Sequence, residues 1–86
     1  MSISIYYVSR EIAETDGEAV EIAKRETGAI RGWCFQNNKT GKPESKEFFA
    51  WDNVKKNYGY AVCEELYRNL YVTGRYKHYW ILVLEK

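Results

Sequence analysis

Arg75-Tyr-Lys-His-Tyr-Trp-Ile-Leu-Val-Leu-Glu85 is apolar on both faces from Tyr79 onward, the pattern of a strand flanked on both sides. Such a strand needs partners, and two other stretches of the 86-residue chain alternate as half-buried strands do. Ile3, Ile5 and Tyr7 alternate with Ser2, Ser4 and Tyr6, which predicts a first strand over 2–9. Over 29–36, Arg31, Trp33 and Phe35 fall on one side and Ile30, Gly32 and Cys34 on the other, which predicts a second. A loop at 37–44 collects Asn-Asn, Thr-Gly and the only proline, and strand-forming rings resume over Lys46–Trp51. Strands two and three are expected to form a hairpin.

Helices fill the gaps. Thr15-Asp16-Gly17-Glu18 reads as a capping box opening a helix over 16–27, with Gly28 in the place of a left-handed terminator. From Asp52, apolar residues recur every three or four positions through Val54, Tyr58, Val62, Leu66 and Leu70, predicting a long second helix that ends before Gly74. Gly59 near its middle is expected to mark a bend or a close helix-to-sheet contact. The resulting order, β-α-β-β-α-β, predicts one α+β domain over 1–86, a ferredoxin-like sandwich with two helices on one face of a four-stranded antiparallel sheet. The second face is then left for solvent, a ligand or a second subunit.

Composition narrows the function classes. Thirteen Lys and Arg against twelve Asp and Glu give a formal charge of +1, which leaves no polyanion footprint in the sum. Acidic residues predominate in the first 28 residues, Glu14, Asp16 and Glu18 lying where a helix dipole favours them. The start of the chain lacks a secretory leader, no run has the length of a membrane span, and Cys34 and Cys63 lack metal-site spacing. A cytoplasmic protein with reduced thiols is expected, without a metal or cofactor and without membrane contact.

Fourteen residues are aromatic, eight of them tyrosine, more ring surface than a core of this size readily covers. With Tyr7 facing the helices, Tyr6, Trp33, Phe48 and Tyr79, rimmed by Arg31, Lys46 and Lys77, are expected on the open sheet face. We take Tyr6, Arg31, Trp33, Phe48, Lys77 and Tyr79 as the partner-binding residues, because Tyr, Trp and Arg dominate interface hot spots.

The expected function is non-enzymatic protein–protein contact, in the manner of a small phage or mobile-element inhibitor that occupies the surface of a larger host defence enzyme or nucleoprotein complex. A homodimer through the same face is a further expectation. Single-stranded nucleic-acid binding is the alternative, since RNA-recognition domains stack bases on sheet-face rings. Lys46-Glu47-Phe48-Phe49-Ala50-Trp51, however, lacks the glycine of their strand-three signature. A metal-free ribonuclease built on His78, Arg75 and tyrosines comes third. His78 is the only histidine, and it stands on the last strand rather than after a nucleophile turn.

Overall fold

A computed structural model describes residues 2–36, 42 and 51–86. Strand β1 (Ile3–Ser9) leads to helix α1 (Asp16–Thr27) and the short strand β2 (Arg31–Cys34). Helices α2 (Trp51–Tyr58) and α3 (Tyr60–Tyr67) follow, then a π turn over Arg68–Val72, a 3-10 turn over Arg75–Lys77 and strand β3 (Tyr79–Glu85).

The sheet of the described residues has three strands, all antiparallel neighbours, in the order β1-β3-β2. The ferredoxin-like expectation of four strands is thereby corrected. Trp51, the end of the expected third strand, begins a helix; residues 46–50 and the expected hairpin lie outside the described residues. The last strand takes the centre because Tyr79–Glu85 alone is apolar on both faces. Ile5 and Trp33 both pair with Val83, and Tyr6 and Cys34 both pair with Leu82.

The helices also lie on opposite faces of the sheet, not on one. Ala19 and Ala23 of α1 pack on Val8, Trp80, Leu82 and Leu84. Val54, Cys63, Leu66 and Leu70 pack on Ile81 and Val83, with Ile3 and Ile5 at the margin. Ile81, Leu82, Val83 and Leu84 are fully buried, as two-sided cover of a central strand demands. On the α1 side the approach is close enough to require glycine, for a Cβ at Gly32 would lie 2.7 Å from Leu84 Cδ2 and 3.5 Å from Val20 Cγ1.

Helix ends follow the sequence signals. Thr15 Oγ1 accepts from Glu18 N–H at 3.2 Å, while the Glu18 carboxylate reaches back one residue beyond the cap, to Glu14 N–H. Gly28 adopts φ 75° and donates its N–H to Lys24 C=O. The expected long helix breaks at Gly59, where φ is 95°, a conformation costly for any other residue. Beyond α3 the backbone widens, and Thr73 N–H donates to Arg68 C=O at 2.7 Å, the i→i+5 bond of a π turn.

Gln36 takes over where β2 stops. It is 2% exposed; its Oε1 accepts from Ile81 N–H at 2.8 Å and its Nε2 donates to Tyr79 C=O at 2.8 Å. A side-chain amide thus extends the ladder to a part of β3 that β2 does not reach, and its two ends are fixed by that donor and acceptor pattern.

Candidate functional site

Both sheet faces carry helices, so the open aromatic face does not exist in the expected form. Tyr6 points to the α1 side, where its hydroxyl donates to the Glu26 carboxylate. That bond, with burial and the Glu26 charge, holds its hydroxyl pKa above the usual phenol value. Trp33 stands on the opposite side, in register with Val83 and Ile5. Tyr6 and Trp33 therefore cannot belong to one surface. Phe48 lies outside the described residues, as does Lys46.

The rest divides between the two ends of β3. At the Glu85 end, Arg31 Nη2 pairs with Glu85 Oε2 at 3.0 Å, and the Arg31 guanidinium lies 5.8 Å from the Trp33 ring centroid. Trp33 also meets Tyr58 of α2, with centroids 6.0 Å apart and planes at 47°. Burial raises the Tyr58 hydroxyl pKa; the Glu85 charge adds to that and Arg31 opposes it. The turn at Gly59 then sends Tyr60 outward, 66% exposed, with the Lys55 ammonium 5.8 Å from its ring centroid. Each ring thus has a cation at cation–π range or another ring at stacking range.

At the other end of β3, Tyr79 meets the Tyr7 ring edge-on at 6.2 Å, and the Arg75 guanidinium lies 5.0 Å from the Tyr7 centroid. The Tyr7 hydroxyl donates to Glu65 Oε1 at 2.6 Å and accepts from buried Asn69 Nδ2 at 2.9 Å. Burial raises its pKa first, the Glu65 bond next, while the Asn69 donation lowers it. Lys77 is exposed here and lines two open clefts, one with Tyr71 and Tyr76, the other with Arg10, His78 and Tyr79. The expected set is thus a pair, Arg31 with Trp33, and a second pair, Lys77 with Tyr79. Trp33 is in register with Val83, four residues of β3 from Tyr79, about 13 Å of strand.

Tyr58, Lys55 and Tyr60 complete the first group and were not among the expected site residues. The helical period of α2 assigns Tyr58 to the core, and only the break at Gly59 turns Tyr60 away from it. Ser9, Glu11 and His78 line one cleft, yet among the described residues no hydrogen bond joins the imidazole to either of the others. Among the described residues there is also no group of three His, Cys, Asp or Glu side chains placed to hold a metal ion, and no helix long and apolar enough to cross a membrane. Cys34 and Cys63 are free thiols, and burial raises Cys34 to a pKa of about 11. No protein-family model matches the chain, and no curated protein or solved structure matches it either.

Proposed function

We propose that this protein works by binding another protein rather than by catalysis, with Arg31, Trp33, Tyr58 and Tyr60 as the centre of contact. One observation carries the reading: Trp33, 36% exposed, meets both Arg31 and Tyr58, and Tyr60, two residues beyond Tyr58, is 66% exposed. Trp, Tyr and Arg are the residues that supply most binding energy at protein interfaces. Here the Glu85 ion pair and the ring contact restrain Arg31, Trp33 and Tyr58 in advance, so less of their side-chain freedom remains to be lost on binding. Glu85 beside Arg31 weighs against a nucleic-acid backbone as the ligand, because a carboxylate repels phosphate. Helices on both faces also leave no bare sheet on which to lay bases.

The target in this reading is a larger enzyme whose surface the protein occludes, a host defence enzyme in the phage or mobile-element setting. Support comes from a sequence in which no nucleophile–base constellation is recognisable. Two free thiols favour a reducing, cytoplasmic compartment.

The test is capture from a nuclease-treated lysate with the wild-type protein, Trp33→Ala and Tyr60→Ala. One protein retained by the wild type and lost from both variants, at unchanged salt, is the expected result. Retention of nucleic acid before nuclease treatment, with binding that falls steeply as salt rises, would replace this reading by the nucleic-acid one.

A further inference from the structure

We propose that two copies of this chain associate by antiparallel pairing of their β1 strands, with the two-fold axis at Ile5. The phase of the β1–β3 ladder is set at its ends, where Lys86 N–H donates to Ser2 C=O and Arg10 N–H donates to His78 C=O. Both bonds belong to the same register as the strand pairs. Because bonded and non-bonded pairs alternate, Ser4, Tyr6 and Val8 direct their backbone groups to β3. Ile3, Ile5 and Tyr7 therefore present N–H and C=O outward. No partner for these groups exists among the described residues.

Edge strands of monomers are usually protected by charge, proline, a bulge or shortness. Ile3-Ser-Ile-Tyr-Tyr-Val-Ser9 has seven residues and none of the first three devices. The opposite edge of the sheet, β2, has four residues and carries Arg31. A second copy is the occupant that β1 itself selects. About Ile5, antiparallel self-pairing sets Ile5 against Ile5 of the partner subunit and Ile3 against Tyr7 of the partner subunit. No like charges meet, and an isologous contact closes at two copies. About six backbone hydrogen bonds form. The area is at the small end for specific interfaces, so the dissociation constant is expected to be about micromolar or weaker.

The registers make the consequence specific. Trp33, Val83 and Ile5 lie on one cross-strand row, so the dimer axis joins that row to its copy. The two-fold axis is perpendicular to the sheet and keeps both α2–α3 sides on one face. The dimer then presents two Arg31–Trp33 groups on that face, across five strand spacings, about 24 Å. A bivalent binder of this kind gains avidity on a target with repeated sites.

The test reads the native protein. Sedimentation should show the 10.2 kDa chain doubling in mass as concentration rises. Over the same range, amide exchange at Ile3, Ile5 and Tyr7 should slow by about 10-fold or more, with Ser4, Tyr6 and Val8 protected throughout. A monomer at every concentration overturns the proposal, and so does slow exchange at the odd positions in dilute protein. A second measurement fixes the register by oxidation of two single-cysteine variants. Ile5→Cys should cross-link across the axis, with Cα atoms about 5.5 Å apart. The more exposed Ser4→Cys should not, since its two copies would be about 8 Å apart. Equal cross-linking of both variants, or of neither, contradicts the pairing.

Discussion

Replacing Gln36 with leucine keeps the side chain's approximate volume and removes every polar contact it makes. Oε1 accepts from Ile81 N–H at 2.8 Å and from Cys34 Sγ at 3.2 Å, while Nε2 donates to Tyr79 C=O at 2.8 Å and Tyr76 C=O at 3.2 Å. Ile81 is fully buried, so its stranded N–H costs about 1–3 kcal/mol. Tyr79 C=O keeps a long contact from Arg10 Nε at 3.5 Å, and its loss is smaller, about 0.5–1 kcal/mol. The expected loss is therefore about 2–4 kcal/mol. A chain of this length has roughly 4–13 kcal/mol of stability in all. The thermal midpoint should fall by about 10–25 °C, and the urea midpoint should fall with no change in slope. Gln36→Ala, which opens room for a water at Ile81 N–H, should lose less than Gln36→Leu. A loss below about 0.5 kcal/mol for Gln36→Leu would refute the claim that this amide completes the β2–β3 ladder.

Other substitutions probe separate contacts. Gly32→Ala drives a methyl to 2.7 Å from Leu84 Cδ2, and chemical denaturation should show a net loss of about 1–2 kcal/mol after the entropic gain of alanine over glycine. Tyr7→Phe removes the acceptor of buried Asn69 Nδ2 and the donor to Glu65, with an expected loss of about 1–2 kcal/mol in the same assay. The Cys34 thiol, raised by burial from 9.0 to about 11, keeps its proton in the folded state while the unfolded chain loses it. That contribution to stability is present below about pH 9 and disappears as pH climbs towards about 11, by about 2–3 kcal/mol. Cys34→Ala should flatten the early part of this decline, before tyrosines titrate. His78→Ala should leave binding to the captured partner unchanged; lost biological activity with intact binding would bring the general-base reading forward.

Much of the fold can be read from local chemistry. Thr15, Gly28, Gly59 and Gly74 punctuate the chain where capping and left-handed geometry require them, and Tyr79–Glu85 declares its two-sided burial. What covers each face is another matter. Alternation puts Ile3, Ile5 and Tyr7 on one side of β1 and Trp33 with Arg31 on one side of β2, but only the pairing register through β3 decides that these sides coincide. Tyr6 consequently falls on the α1 face and Trp33 on the other, so that the expected ring cluster separates. The two-sided apolarity of the last strand already conflicted with an open sheet face, because Trp80, Leu82 and Leu84 need cover as much as Ile81 and Val83 do. Gln36 was illegible for a different reason: alternation over 29–36 counts it as an ordinary strand residue, whereas β2 stops at Cys34, and the backbone-like role of its side chain depends on that early end, which no local pattern announces.

The most direct test of the binding account is the affinity of the purified captured partner for wild-type protein, Tyr60→Ala and a control, Ile12→Ala, whose side chain is 68% exposed in the turn that follows β1. Tyr60→Ala should weaken binding by about 2 kcal/mol, roughly 30-fold, with an unchanged thermal midpoint, and Ile12→Ala should bind as the wild type does. Equal affinity for wild type and Tyr60→Ala, or a larger loss for Ile12→Ala, would contradict the assignment of the contact surface to Arg31, Trp33, Tyr58 and Tyr60.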